Sequence, residues 1–129
     1  MNLLSSKKYA ILDSGDFMIN NIGCDIVSIK RLKNTIALNP AFLKKTYTPK
    51  ELKLASTLKN PIYFYATRFA AKEAIFKASG ARFEFRQIEI LKNQDGSPSP
   101  VIKGQEDIKI KLSLSYEDKY AVAFCIVLS

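Results

Sequence analysis

Apolar residues follow a two-residue period over much of the second half of this chain. From Ile108 to Leu114 apolar and polar residues alternate, which predicts a half-buried strand. The stretch from Tyr120 to Leu128 is apolar almost throughout, so it predicts a central strand that is buried on both faces. Similar patterns predict strands over 19–27 and 86–91.

Helix signals dominate the first half. Ser28 is suited to cap a helix directly after the first strand. The run Thr48-Pro49-Lys50-Glu51 supplies a cap, a proline at the first helical position and the acid of a capping box. The inner face of the helix it starts should carry Leu52, Ala55 and Leu58. A longer helix is expected from Pro61 to about Ser79, with Gly80 as its stop signal. Helices followed by antiparallel strands predict one α+β domain, with the helices packed on the sheet.

Composition narrows the possible functions. The 129 residues include 20 Lys and Arg, 12 Asp and Glu and no His, giving a formal net charge of +8. That charge suits an anionic partner, such as a nucleotide, a nucleic acid, an acidic protein or a membrane surface, and a merely solvated basic surface fits as well. Without His, imidazole bases, His-containing triads and His-ligated zinc are excluded. Cys24 and Cys125 lie in apolar runs and should be small buried hydrophobes.

The chain shows no sign of a membrane span or of a signal peptide. No run approaches the ~18 consecutive apolar residues that a spanning helix requires. Near the N-terminus, the charged pair Lys7 and Lys8 is followed by only four apolar or aromatic residues before Asp13. A cytoplasmic protein is therefore the default expectation.

One acid stands out on the long helix. That helix is apolar nearly all round and should be largely buried, yet Glu73 projects from the middle of one apolar face. A plain ion pair with Lys77, four residues on, is one interpretation. The other joins Glu73 to Asp25, an acid near the end of the first apolar strand. Two converging carboxylates suit Mg²⁺, which takes its remaining ligands from water and phosphate oxygens, and Lys77 would then reach the same phosphates.

The segments around these acids resemble the two motifs of the holo-acyl-carrier-protein synthases, the small 4′-phosphopantetheinyl transferases. They are Ile22-Gly-Cys-Asp-Ile-Val-Ser-Ile-Lys-Arg31 and Arg68-Phe-Ala-Ala-Lys-Glu-Ala-Ile-Phe-Lys-Ala78. Later segments continue in the family's order: Gln87-Ile-Glu-Ile90, the turn Asp95-Gly96-Ser97-Pro98, Leu112-Ser-Leu-Ser-Tyr116 and Tyr120-Ala-Val-Ala-Phe124. Each motif alone is weak, but the ordered set over roughly residues 19–128 is highly specific.

The resemblance implies an enzyme that transfers the 4′-phosphopantetheine arm of coenzyme A to a serine of apo-acyl carrier protein. Adenosine 3′,5′-bisphosphate would be released, and fatty acid biosynthesis would be the pathway served. By the same resemblance, Asp25 and Glu73 hold Mg²⁺ against the coenzyme A pyrophosphate. Glu73 also helps to deprotonate the serine, and Lys77 offsets charge on the phosphates.

The resemblance also implies binding residues and an assembly. It places Gly80, Ser115 and Tyr116 along the nucleotide site and Arg31 against the acidic carrier protein. The family is usually homotrimeric, with active sites in the clefts between subunits. Neither a nucleic acid nor a membrane is expected as a partner.

Three features depart from the family pattern. Tyr116 stands where the family commonly has His, and its hydroxyl can still donate to a phosphate oxygen. Ser79-Gly80-Ala81-Arg82 stands where the family often has Gly-x-Gly, and Arg82 could supply phosphate charge in exchange. Seventeen residues precede Met18, which could be the true start. The expected division is an N-terminal extension over 1–17 and a phosphopantetheinyl transferase domain over 18–129.

Two other functions fit parts of the sequence. A non-catalytic relative that binds coenzyme A or the carrier protein would account for the missing His. A basic nucleic-acid-binding α+β domain would use the positive charge and the 14 aromatic residues, but it leaves Glu73 unexplained and lacks a recognisable aromatic-basic strand motif.

Overall fold

The computed structural model describes residues 18–107 and 109–129. This part of the chain forms two three-stranded antiparallel sheets, with strand orders β1-β6-β5 and β2-β3-β4. The strands are β1 (Ile19–Ser28), β2 (Ile88–Lys92), β3 (Pro98–Ile102), β4 (Gln105–Glu106), β5 (Ile110–Tyr116) and β6 (Tyr120–Leu128). Four α-helices separate β1 from β2, namely α1 (Ile29–Leu38), α2 (Phe42–Thr46), α3 (Pro49–Ser56) and α4 (Ile62–Ala78). The predicted α+β class is confirmed.

The helix boundaries follow local hydrogen bonds that the sequence signals predicted. The Ser28 hydroxyl accepts from the backbone N–H of Arg31 and starts α1. Thr48 and Glu51 form a reciprocal capping box at the start of α3. Gly80 has a φ of 69° and follows the last turn of α4, as a C-terminal glycine should.

The core lies between α4 and the sheet β1-β6-β5. Buried residues of α4 pack on the side of the sheet that carries Val27, Ala121, Ala123 and Cys125. Gly23 allows the closest approach, because a Cβ added there would lie 2.0 Å from the carbonyl oxygen of Ala74. Strand β1 and helix α4 are therefore held side by side where each carries its candidate acid.

The opposite side of this sheet is apolar and exposed in the single chain. We call it the open sheet face; it consists of Ile22, Cys24, Ile26, Tyr120, Val122 and Phe124. Register confirms that these side chains are neighbours, since Cys24 pairs with Phe124 and Ile26 pairs with Val122. The predictions that β6 is buried on both faces and that Cys24 is buried are therefore wrong for the single chain, because α4 covers only one side of the sheet.

Two boundaries also differ from the predicted ones. Helix α3 ends at Ser56, so Leu58 lies beyond it and is exposed rather than on its inner face. Strand β2 begins at Ile88, because Phe85–Gln87 forms a 3-10 turn.

Two predictions concern residues outside the described part of the chain, namely the N-terminal extension over 1–17 and the start of the strand at Ile108. Among residues 18–107 and 109–129, no helix combines the length and apolarity needed to cross a membrane.

Candidate active site

A cavity of about 700 Å³ opens where the end of β1 meets α1 and α4. Alternation along β1 turns Asp25 toward α4, because its neighbours Cys24 and Ile26 point to the open sheet face. Glu73 and Lys77 lie one helical turn apart on α4 and reach the same cavity. The structure thus brings together the three candidate residues that the sequence placed on two distant elements.

Lys77 joins the helix to the strand. Its ammonium donates to Asp25 Oδ1 at 3.1 Å and to the carbonyl oxygen of Cys24 at 3.0 Å. The side chain of Lys77 is half exposed, whereas only 16% of the Asp25 side chain is accessible. The ion pair that Lys77 forms is therefore with Asp25 and not with Glu73, so the simple helix-surface pair is not the arrangement found.

Electrostatics distinguish Glu73 from an ordinary surface acid. Burial raises the pKa of Glu73, the Asp25 carboxylate raises it further, and the Lys77 ammonium opposes both effects. A half-buried carboxyl with a raised pKa holds a proton more readily than a free one. This property suits a group that takes a proton during a reaction.

The donor set fits a hard divalent cation that shares its ligands with a substrate. Asp25 and Glu73 offer carboxylate oxygens to one open cavity. Within residues 18–107 and 109–129 there is no cluster of three or more His, Cys, Asp or Glu side chains that could enclose a metal. Mg²⁺ needs only one or two protein carboxylates when phosphate and water complete its octahedron. A zinc site with a full set of protein ligands does not fit.

The rim of the cavity is basic on one side. Arg31 lines the cavity from the first turn of α1, and Lys30 and Lys33 are exposed on the same short helix. The inner wall near Arg31 is apolar and is formed by Leu32, Phe42 and Phe69. This combination of an exposed cationic edge and an apolar wall suits contact with an acidic protein surface.

The expected nucleotide-site residues lie elsewhere in the single chain. Gly80 lines a separate cavity of about 500 Å³ beyond the end of α4, together with Arg82. Ser115 lies in β5, an edge strand of the sheet, and pairs with Val122 of the open sheet face. Tyr116 is 59% exposed, and its ring stacks on Tyr63 with a centroid separation of 4.9 Å.

A smaller cavity of about 250 Å³ is lined by Tyr116 and by two cationic side chains, those of Arg68 and Lys92. Arg68 is almost fully buried, its guanidinium lies over the Phe64 ring, and its Nε has no hydrogen-bond partner among the described residues. A buried donor without an acceptor costs free energy unless a ligand supplies one. Sequence reasoning missed Arg68, although its place in an otherwise apolar stretch of helix was a signal.

Sequence reasoning also missed the buried pair formed by Lys72 and Glu51. Both side chains are fully buried, and the Lys72 ammonium lies 2.5 Å from Glu51 Oε1. Glu51 was predicted only as the acid of a capping box, and Lys72 was given no role. A lysine in a helix that is apolar nearly all round was the available signal, because such a residue needs a buried acceptor.

The chain is similar to proteins of known family. The model of the 4′-phosphopantetheinyl transferase superfamily matches residues 21–125. The chain belongs to this superfamily. Holo-[acyl-carrier-protein] synthase of Clostridium tetani is 38% identical over 121 residues, which covers 85% of this chain and 96% of the relative. The enzyme of the same name from Thermodesulfovibrio yellowstonii is 38% identical over 113 residues, with coverage of 85% and 99%.

Solved structures of the superfamily have the same fold. The holo-(acyl-carrier-protein) synthase of Bacillus anthracis, in complex with CoA (3′,5′-ADP), aligns with a TM-score of 0.76 and 31% identity, covering 87% of this chain and 98% of its own. The Helicobacter pylori enzyme in complex with coenzyme A gives a TM-score of 0.65 and 29% identity, with coverage of 84% and 99%. The family and the enzyme class that the motifs predicted are confirmed.

Proposed function

We propose that this protein transfers the 4′-phosphopantetheine arm of coenzyme A to a serine of apo-acyl carrier protein. The observation that carries the proposal is the meeting of Asp25, Glu73 and Lys77 in one cavity. Membership of the superfamily supplies the reaction class, and coenzyme A is bound in solved relatives. A cytoplasmic location and a role in fatty acid biosynthesis belong to the same proposal.

The reaction assigns one task to each group in the cavity. Glu73 accepts the proton of the carrier-protein serine, directly or through a water. The serine oxygen then bonds to the phosphorus that carries the pantetheine arm. The bond from that phosphorus to the bridging oxygen breaks, and adenosine 3′,5′-bisphosphate leaves with the electron pair. Lys77 is long and half exposed, so its ammonium can follow the phosphate oxygens as their charge changes.

Asp25 and Glu73 are the residues that would hold Mg²⁺ in this cavity. When bound there, the ion would neutralise pyrophosphate charge and orient the group to be transferred. Asp25 would be the fixed anchor, because only 16% of its side chain is accessible and Lys77 already holds its carboxylate. Glu73 then remains available for the proton.

The second half of the nucleotide site would come from another subunit. Tyr116 and Arg68 share a cavity with each other but not with Glu73. The open sheet face is an apolar surface next to Ser115 and needs a cover. We propose that a homotrimer buries this face and places Tyr116 and Arg68 of one subunit near Asp25 and Glu73 of the next. Gly80 would contribute from the end of α4.

The carrier protein would dock on the basic rim. Arg31 is exposed at the mouth of the cavity, where it can meet an acidic helix without blocking the carboxylates. Arg31→Glu should therefore weaken carrier-protein binding more than coenzyme A binding, as measured by calorimetry with each substrate alone. Lys59→Glu makes the same change of charge at an exposed residue outside the cavity and is the matched control.

The proposed reaction is tested by product release. The purified protein, Mg²⁺, coenzyme A and apo-carrier protein should together yield adenosine 3′,5′-bisphosphate, detected by chromatography, and omission of the carrier protein should abolish it. A non-catalytic relative would bind coenzyme A or the carrier protein and release nothing. A nucleic-acid-binding domain would retain neither substrate, so either result would contradict the proposal.

A further inference from the structure

Lys72 is one of two buried cations in α4, the other being Arg68. Its side chain is fully buried within a helix whose other buried residues are mostly apolar. The ammonium donates to three oxygens from three different segments. They are the carbonyl of Thr46 at the end of α2 at 2.9 Å, Oε1 of Glu51 in α3 at 2.5 Å, and the carbonyl of Phe85 in the 3-10 turn at 3.0 Å. All three N–H donors of Lys72 are therefore used.

Glu51 completes the connection to the second sheet. Its Oε1 also accepts from the backbone N–H of Thr48 at 2.9 Å, and its Oε2 accepts from the N–H of Ile90 in β2 at 2.8 Å. The pair thus ties α4 to α2, α3, the 3-10 turn and β2. Every bond in it has a fixed direction, which distinguishes it from the apolar contacts around it.

A buried ion pair is rarely the most stabilising choice for a core position. Apolar residues of the same volume often serve as well or better, because desolvation of two charges offsets their attraction. Helix α4, however, is apolar nearly all round, with buried or half-buried residues on every side. The close approach at Gly23 fixes how near α4 lies to β1, but apolar burial alone discriminates weakly between rotations of α4 about its own axis. The Lys72 ammonium discriminates strongly between these rotations, because its three hydrogen bonds form in only one orientation of the helix.

We propose that Lys72 is a positioning residue: its pair with Glu51 fixes the rotation of α4 and so holds Glu73 and Lys77 toward Asp25. The inference rests on the proposed function, because it assigns Glu73 a role there. Consecutive helical residues are about 100° apart, so anchoring Lys72 sets the direction of Glu73. A rotation of about 20° would move a side-chain tip by about 2 Å. Misplacement of about 1 Å can cost about 100-fold in rate.

The competing explanation is structural. The pair could serve only to satisfy the carbonyls of Thr46 and Phe85 and the N–H groups of Thr48 and Ile90. Its loss would then lower stability and leave the geometry of the cavity unchanged in whatever molecules remain folded. The two explanations therefore predict different kcat values and Mn²⁺ affinities for variants that are folded, well below their melting temperature.

The test compares the double variant Glu51→Gln/Lys72→Met, which removes both buried charges, with a variant of equal melting temperature. Ile75→Val or Ile75→Ala, whichever matches, is the control, because Ile75 is fully buried on the same helix and has no polar side-chain group. Well below the melting temperature, the double variant should lose at least tenfold in kcat with a KM for coenzyme A within about threefold of the wild type. The control should keep both values. Mn²⁺ affinity in the presence of coenzyme A, measured by electron paramagnetic resonance, should fall about tenfold in the double variant only.

Methyl NMR of the α4 alanines separates this inference from the proposed function. The double variant should show a shifted or doubled signal for Ala66, which is buried on α4 more than a helical turn from both Lys72 and Ile75, and the control should not. A wild-type protein without transfer activity would contradict the proposed function. The Mn²⁺ affinity and the methyl signals would then still test whether the Lys72 pair fixes the rotation of α4. A double variant with unchanged kcat, Mn²⁺ affinity and alanine signals would overturn the inference. If the double variant does not fold, Glu51→Gln alone should give the same changes at about threefold, and unchanged values there would overturn it equally.

Discussion

At the scale of single residues, the raised pKa of the Glu73 carboxyl makes the stability of the fold depend on pH. Its pKa is raised above the ordinary value of 4.5, chiefly by burial. The folded state therefore binds a proton more tightly than the unfolded state. The free energy of unfolding of the wild type, relative to Glu73→Gln, should fall as pH rises from about 4.5 through the raised pKa, and then level off.

Urea unfolding between pH 4 and pH 8 measures this difference. Asp118→Asn removes an exposed carboxylate outside the cavity and is the control for a general change of charge. A relative stability of Glu73→Gln that decreases with rising pH would contradict the assignment, because it would mean that folding favours the ionised form of Glu73.

Substitution of Tyr116 tests whether its hydroxyl takes the role of the histidine that the family commonly has at this position. In the nucleotide site as proposed, its hydroxyl donates to a phosphate oxygen, a bond worth roughly 1.5–3 kcal/mol. Tyr116→Phe should then lower kcat/KM by about ten- to hundredfold while the stack on Tyr63 remains. Tyr63→Phe keeps the same stack and should be nearly silent. If Tyr116→Phe is silent too, and Tyr116→Ala only lowers stability, the ring serves for packing.

Single residues show how far sequence reasoning reaches. Asp25 and Glu73 could be singled out because an acid in an apolar element is improbable by itself, and the motifs supported the choice. The partner of Lys77 could not, since spacing along α4 favours Glu73, whereas the nearby strand supplies Asp25. Glu51 and Lys72 are 21 positions apart, and no local rule pairs residues at that distance.

At the scale of elements, the contact between β1 and α4 decides whether the acids meet. Gly23→Ala should lower the free energy of unfolding by about 3 kcal/mol, since the new Cβ would lie 2.0 Å from a helix carbonyl oxygen that cannot rotate away. It should also reduce transfer activity, because β1 and α4 must separate. Chemical denaturation and steady-state kinetics measure the two effects.

Gly104→Ala is the matched control for this substitution. Gly104 has a φ of 82° but no atom within 4 Å of the added Cβ, so only backbone strain of about 1 kcal/mol is expected. Equal losses of stability in the two variants would show that β1 and α4 do not approach as closely as described.

Elements with strong local signals were the ones that sequence reasoning predicted well. The capping box at Thr48 and the stop at Gly80 gave α3 and α4 nearly correct bounds. The prediction that β6 is buried on both faces was wrong for another reason. A continuous apolar run shows that both faces avoid water, but it does not show whether this chain or another one covers them.

At the scale of the whole molecule, the open sheet face is exposed in the single chain. The main prediction at this scale is that other subunits of a homotrimer cover it. The wild type should elute and scatter light as a trimer. Phe124→Lys places a charge at the centre of this face, where 40% of the side chain is exposed. It should give a monomer with unchanged circular dichroism and little transfer activity, because burying an unpaired lysine is costly.

Leu38→Lys is the matched control, since Leu38 is 84% exposed at the end of α1 and outside this face. It should remain a trimer and remain active. A wild type that is monomeric and fully active at assay concentrations would contradict the proposed assembly.

In the proposed function, Asp25 and Glu73 together make this chain a metal-dependent pantetheine transferase. The most direct measurement is the intact mass of apo-carrier protein after incubation with coenzyme A, Mg²⁺ and either the wild type or Glu73→Gln. The wild type should add one phosphopantetheine group per carrier protein, and a metal chelator should prevent the addition. Glu73→Gln, folded by circular dichroism, should add the group at least 100-fold more slowly. A carrier protein whose mass does not change with the wild type, or changes as fast with Glu73→Gln, would contradict the proposed metal-dependent transfer at Asp25 and Glu73.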